Sequence, residues 1–185
     1  MKNFLSLLVF VLVMPVTAFA NQSVSEKFVA APDSCRFRAN EWQVDMATIG
    51  SVGIYKGATG QGIAGDLGVS YYFLKYFGVG FDNSVGGHQI VGIPGSGGYD
   101  KLTANVLLRY PICAWNIAPY AMLGGGGYWD SLLSLGYGSI GGGIEYRMTP
   151  NIGLFADCRW VCGNYGNGTA SLTSASPRAG VRFAF

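Results

Sequence analysis

The chain is poor in the residues that most catalytic and nucleic-acid chemistry needs. It has one histidine, four cysteines, and 12 basic and 10 acidic side chains among 185 residues. A single histidine and scattered cysteines without paired C-x-x-C spacing leave little for metal or acid–base chemistry, so no metal or other cofactor is expected. The formal net charge is only +2, with no run of like charges to hold a phosphate backbone, which excludes a nucleic-acid partner. Past residue 20 no stretch approaches eighteen consecutive apolar residues, so no membrane-spanning helix is expected there. What the chain does have is 50% apolar residues, 29 glycines, 11 phenylalanines, 11 tyrosines and 4 tryptophans. That composition excludes ordinary disorder, and the absence of a G-X-Y period excludes collagen. The length suits one domain.

Residues 1–20 read as a cleaved signal peptide. Lys2 precedes an apolar stretch from Phe4 to Met14, Pro15 breaks it, and Ala18-Phe19-Ala20 places small residues where a signal peptidase inspects them. Eleven apolar residues rise only about 17 Å as a helix, well short of the ~30 Å hydrocarbon core of a bilayer. Cleavage after Ala20 therefore fits better than an anchor. Residues 21–41 form a lead-in: a polar start, a small hydrophobic patch from Phe28 to Ala31, then Pro32-Asp33-Ser34. This segment reads either as a disordered tail or as a short piece capping one end of the domain.

From residue 42 to residue 185 the pattern changes to strands. Glycine recurs too often for stable helices, each costing roughly 0.8 to 1 kcal/mol against alanine. The apolar residues recur at every second position in eight segments, near 42–55, 63–73, 77–87, 99–110, 117–128, 135–147, 152–162 and 176–185. In the fourth, Leu102, Ala104, Val106, Leu108 and Tyr110 alternate with Lys101, Thr103, Asn105, Leu107 and Arg109. The fifth, through Gly124 to Gly127, leaves its faces ambiguous. Collected over all segments, the polar faces carry Asp45, Asp66, Asp82, Glu145 and Asp157 with Lys101, Arg109, Arg147, Arg159, Arg178 and Arg182. Charges in the core with Leu, Val and Phe outside are the reverse of a water-soluble protein. The arrangement makes sense in lipid, where every backbone polar group needs a partner and only a closed barrel removes the strand edges. The fold class expected is therefore all-β: an eight-stranded, antiparallel, up-and-down transmembrane β-barrel. At eight strands the interior is narrow enough for side chains to fill it, so the charges form a paired plug, with glycines making room for the long arginines.

Connections at 74–76, 111–116 and 148–151 read as short turns, and those at 56–62, 88–98, 129–134 and 163–175 as mostly longer, Gly-, Ser- and Asn-rich loops. Short turns at the periplasmic end put both termini there. Aromatic girdles are expected at Trp42, Tyr76, Phe77, Tyr110, Trp115, Tyr146 and Phe185 at that end, and at Tyr55, Tyr99, Tyr128, Trp129, Trp160 and Tyr165 at the other.

The last eight residues, Arg178-Ala179-Gly180-Val181-Arg182-Phe183-Ala184-Phe185, resemble the carboxy-terminal assembly signal of bacterial outer-membrane barrels, in which a polar residue, a glycine, an aromatic and a terminal aromatic fall at fixed spacing. Arg178, Gly180, Phe183 and Phe185 are the matching positions. The segments Thr103–Pro111, Ile117–Ala121 and Gly142–Arg147 are also similar to small barrels of the OmpA-like and porin-like type. The resemblance covers residues 42–185. It implies the bacterial outer membrane as location, its lipid and lipopolysaccharide as surroundings, and the barrel assembly machinery and periplasmic chaperones as partners in biogenesis. A monomer is expected. The peptidoglycan-binding domain that comes after the barrel in the OmpA-like type is not found in these residues.

Other motifs carry less. Gly60–Gly65 and Gly136–Gly141 match the dinucleotide pattern G-x-G-x-x-G, but neither opens a helix in a βαβ unit. The sequons at Asn21 and Asn167 have meaning only in a eukaryotic secretory route. His88 is the one residue that could serve an acyl enzyme acting on lipopolysaccharide, with Asp82, Ser84, Ser96 and Asp100 near it in sequence. In the deacylase pattern a serine stands two positions after the histidine, and here that position is Ile90. Export permits disulfides, and a pairing of Cys35 with Cys113 is open to the chain. Cys158 and Cys162 lie about 13 Å apart along one strand face, too far to bond. The function expected is non-enzymatic: envelope structure, or contact through the surface loops. A narrow porin-like channel and a lipopolysaccharide-modifying acyl enzyme are the alternatives.

Overall fold

The computed structural model describes residues 35–55, 58–90, 96–130, 134–165 and 170–185. The signal peptide and the lead-in as far as residue 34 lie outside the described residues. Eight antiparallel strands form a closed barrel in simple up-and-down order: β1 Glu41–Tyr55, β2 Ala58–Tyr72, β3 Phe77–Ile90, β4 Ser96–Arg109, β5 Ile117–Asp130, β6 Ser134–Arg147, β7 Ile152–Tyr165 and β8 Ala170–Ala184. Each strand pairs with its sequence neighbour, and β8 returns to β1. The lower end of the barrel holds residues 73–76, 110–116 and 148–151. It contains one 3₁₀ turn, Cys113–Trp115, closed by Asn116 in the left-handed region, which asparagine tolerates.

Period-two alternation explains the wall. In β4 every residue from Lys101 to Arg109 on the odd face is buried and every even one exposed. In β5 the ambiguous face resolves to Ala118, Tyr120 and Met122 inside, with Gly124 and Gly126 on the same side. The outer surface is apolar: Ile63, Phe81 and Leu123 are 67%, 61% and 62% exposed. Surface of that kind has a favourable environment in lipid.

Two expectations change. The strands run further at the upper end than the alternation predicts: β2 starts at Ala58 rather than 63, β4 at Ser96 rather than 99, β7 ends at Tyr165 rather than 162 and β8 starts at Ala170 rather than 176. Only residues 56–57, 91–95, 131–133 and 166–169 separate the strands there, so the segments 56–62, 88–98, 129–134 and 163–175 are largely wall rather than loop. Glycine and serine have low strand propensity, but a hairpin already in register continues its ladder regardless. Second, Tyr99 and Tyr128 are not part of the upper girdle. They stand on the inner face with Lys101, at two-residue spacing or directly opposite it, and stack at 5.4 Å. Trp129 and Trp160 remain outside and exposed at that end, while Tyr76, Phe77, Tyr110, Trp115, Tyr146 and Phe185 are exposed at the lower end.

The β1–β8 seam has one interruption. Pairing runs up to Ile49↔Arg178 and resumes at Val52↔Ala175 in the same register, skipping Gly50 and Ser51 opposite Pro177 and Ser176. Proline has no N–H, so the bond that would link position 177 to β1 is missing. Pro177→Ala supplies that donor in apolar surroundings and is expected to raise stability by about 1 kcal/mol. The measurement is urea unfolding in detergent, with the amide gained at position 177 protected from hydrogen exchange.

Candidate functional site: the charged interior and the rim histidine

The interior is built in layers. At the lower end Glu41 accepts hydrogen bonds from Arg109 Nη1 at 2.8 Å and from Arg147 Nη2 at 3.0 Å, and Gln43 Nε2 donates to it at 2.6 Å. Arg147 Nε also reaches Glu145 Oε1 at 2.7 Å. The other oxygen of Glu145 accepts from Arg182 Nη1 at 2.7 Å, and Arg182 holds Asp45 in a two-pronged pair with both bonds at 2.6 Å. Three acids and three bases thus form one connected set, with the half-exposed Arg38 Nε also 3.9 Å from Glu41. All six are buried.

Above it lies an apolar and aromatic layer of Tyr72, Leu107, Tyr120, Met122 and Phe155. The arginine planes pack on these rings: Arg109 lies 3.8 Å from the Tyr72 centroid, Arg182 4.7 Å from that of Phe155, and Arg178 4.9 Å from the same ring. A delocalised guanidinium is weakly hydrated and suits this stacking, which an ammonium would not reproduce.

The upper set centres on Arg178. Its guanidinium donates to Asp66 Oδ2 at 2.6 Å, to Asp82 Oδ1 at 3.1 Å and to Asp157 Oδ2 at 2.8 Å. Arg159 clamps Asp82 through two bonds of 2.7 and 3.1 Å. Neutral donors add to these bonds: Ser84 takes the other oxygen of Asp66 at 2.6 Å, while Asn105 and Tyr120 share Asp82 Oδ2 and Asp157 Oδ2 with the arginines at 2.6 and 2.7 Å. Lys101 is the third base at this level, buried, with its ammonium 5.9 Å from the Tyr137 ring centroid. Burying charge is costly unless it is paired and hydrogen-bonded, and here three acids again face three bases. Gly141 leaves room for this packing, since a Cβ there would come within 3.1 Å of the Arg159 side chain. Ile49, Ala64, Tyr99, Tyr128, Leu135, Tyr137 and Val161 close the top of the stack.

The structure places all eleven charged residues named from the sequence on the inner face. It adds two more acids: Glu41 at the lower end, and Asp130 at the upper rim, whose side chain is 3% exposed. Glu41 falls one residue before the segment drawn from the alternation. The signal that could have found it was parity: Glu41 shares the inward face of Gln43 and Asp45 at two-residue spacing.

His88 sits at the upper rim of the interior, packed across from Gly97. Its Nε2 is 3.8 Å from Asp130 Oδ2, and its Nδ1 is 3.5 Å from the Tyr128 hydroxyl, which bonds Asp130 at 3.2 Å. The other groups near it in sequence are engaged elsewhere: Asp82 with two arginines, Ser84 with Asp66, and Asp100 on the outer face with Asn83 Nδ2 at 2.8 Å. The Ser96 side chain lies outside the described residues. Among the described side chains of these companions, none delivers a nucleophile to the imidazole.

At the lower end Cys35 is bonded to Cys113, while Cys158 and Cys162 are free and exposed on the outer face. Of the carboxy-terminal positions, Arg178 and Gly180 face inward and Phe183 outward. Phe185, beyond the last strand, exchanges backbone bonds with Trp42 at 2.9 and 3.2 Å.

A closed eight-stranded barrel with an apolar belt and a salt-bridged interior defines the class: this is the fold of the small outer-membrane β-barrels. Among solved structures it is similar to neisserial surface protein A, with a TM-score of 0.65 and 17% identity over 78% of this chain and 97% of that one. It is also similar to Ail, the attachment invasion locus protein of Yersinia pestis, with a TM-score of 0.56 and 15% identity over 80% and 99%. OprG of Pseudomonas aeruginosa matches with a TM-score of 0.54 and 11% identity over 82% and 99%. No family model matches the chain, and none of the curated proteins matches it in sequence.

Proposed function

We propose that this protein is a non-enzymatic integral outer-membrane barrel whose filled, salt-bridged interior serves envelope structure, with its upper end as a surface for contact. In this reading the chain is exported with its first twenty residues removed, and the lower end faces the periplasm. Periplasmic chaperones and the barrel assembly machinery act on the segment from Arg178 to Phe185. Lipid and lipopolysaccharide surround a monomeric wall. The observation that carries it is the interior: two charge-balanced sets separated by packed rings, with Arg178 alone engaging three carboxylates. A transport path would need mobile or hydrated charge along its length, whereas every charge of the two sets except Lys101 is held in a direct bond to one of opposite sign. Contact at the upper end draws support from a neighbour, since the Yersinia pestis barrel is an attachment invasion locus protein.

The test is electrical. The refolded barrel in planar bilayers is expected to give no current steps above the bilayer baseline, at either polarity. Reproducible unitary steps would replace this reading by a narrow channel.

A further inference from the structure

The six residues before β1 do not trail away from the barrel. Phe37 turns up into the lower mouth and is 1% exposed, packed with Cys35 and Ala118. The guanidinium groups of Arg109 and Arg147 lie 5.3 and 4.8 Å from its ring centroid, so the ring caps the lower charge set from below. Backbone groups of the same segment complete that set: Arg109 Nη2 donates to the Arg38 carbonyl at 2.8 Å. In return Arg36 Nη1 donates to the carbonyls of Arg147 and Met148, at 2.6 and 2.5 Å. Asn40, at φ 54°, reverses the chain between this segment and β1, and its Oδ1 accepts from the Tyr71 hydroxyl at 3.1 Å. The far end is tied by the bond from Cys35 to Cys113, which sits in the turn between β4 and β5. Cys35 is 8% exposed and Cys113 only partly buried, and both lie at the lower end, where a thiol reaches the bond.

We propose that residues 35–40 are a stopper for the lower mouth, latched by the Cys35–Cys113 bond and released by a dithiol. The exchange is balanced. One thiolate of the dithiol attacks a sulfur of the bond, forming a mixed disulfide and freeing one cysteine. The second thiolate then displaces the other cysteine and closes the dithiol's own disulfide. The dithiol loses two electrons and two protons, and Cys35 and Cys113 gain them as two thiols. With the latch open, the segment is held by Phe37, by its charge-assisted bonds and, at the hinge, by the bond from Tyr71 to Asn40, and can swing about Asn40. Its departure leaves Arg109 and Arg147 without the ring and the Arg38 carbonyl, and admits water to the lower charge set. The barrel itself does not depend on the latch, because all eight strand pairings lie outside residues 35–40. That the lower mouth opens into the periplasm rests on the reading above; the latch rests on the contacts alone.

The experiment uses the mature chain with Cys158→Ser and Cys162→Ser, refolded oxidised in detergent micelles and treated with trypsin with and without dithiothreitol. Mass spectrometry follows cleavage after Arg36 and Arg38, and the heat-dependent gel shift reports the barrel. The chain with Cys35→Ser and Cys113→Ser is run in parallel. Cleavage is expected to be at least ~10-fold faster in the reduced and serine forms, tracking the released population, while the gel shift persists. Equal rates in both states, fast or slow, overturn the stopper. Loss of the gel shift on reduction makes the bond a staple of the whole fold and likewise overturns the latch. Absence of the shift in the oxidised chain counts against the barrel reading instead.

Discussion

Arg178→Leu is expected to cost about 3–5 kcal/mol, the range for removing one partner from a buried ion pair, and to abolish the folded band at neutral pH. The reason is geometry more than pair count. Arg178 reaches Asp66, Asp82 and Asp157 at once, and no other base touches Asp66 within the described residues. Leucine leaves three carboxylates facing one another in a space without bulk water. Arg159 compensates only Asp82 well, since its approach to Asp157 is 3.9 Å. The same logic predicts partial rescue. Adding Asp157→Asn to Arg178→Leu removes one of the stranded charges, keeps an acceptor for the Tyr120 hydroxyl, and is expected to restore part of the loss. Urea titration of refolding in detergent, scored by the gel shift, measures both. Working in vitro separates this effect from any role of Arg178 in assembly. A single variant as stable as the parent would mean that the interior is hydrated enough to leave carboxylates unpaired, and would reopen the channel reading.

Gly180→Val is expected to be the most damaging change in the seam. A Cβ at this position would meet the carbonyl oxygen of Met46 and lie within 2.7 Å of Ala47 Cα and Cβ. The obstacle is backbone, which cannot turn aside as a long side chain can. The seam must then widen where Ala47 and Gly180 face each other, and overpacking of this kind costs about 3 kcal/mol. Gly138→Ala serves as the contrast, because nothing lies within 4 Å of a Cβ there. Loss of the gel shift for Gly180→Val in detergent, with Gly138→Ala unchanged, would assign this glycine a role in closure that precedes any recognition by the assembly machinery. Equal folding of both in vitro, with a defect only in cells, would place the requirement in recognition. The same residue thus serves two readings, and the two assays divide them.

Much of the wall was legible because lipid imposes a simple rule on a strand: one face apolar, the other free to be polar. Leu102 to Tyr110 against Lys101 to Arg109 shows it without any tertiary information, and the inward set from Asp45 to Arg182 comes from the same parity. The upper strand ends were less legible. Around Gly60, Gly97 and Gly163 the chain lacks side chains to alternate, so propensity spoke for loop while pairing with a neighbour in register continued the strand. Tyr99 and Tyr128 show a different limit: an aromatic near a membrane interface suits the girdle and the interior equally by composition, and only its parity with Lys101 decides.

By itself, then, the sequence determined the strand count, the inverted faces and the candidate charge set, since these depend on period-two spacing along single segments. Only the tertiary structure decided who meets whom. The bond from Cys35 to Cys113 joins residues 78 apart, and the pairs Arg182–Asp45 and Arg178–Asp66 span 137 and 112. Separations of that size carry no local signal. They are set by closure of β8 on β1 and by the staggered register of the whole wall, which brings distant segments to the same height in one narrow interior.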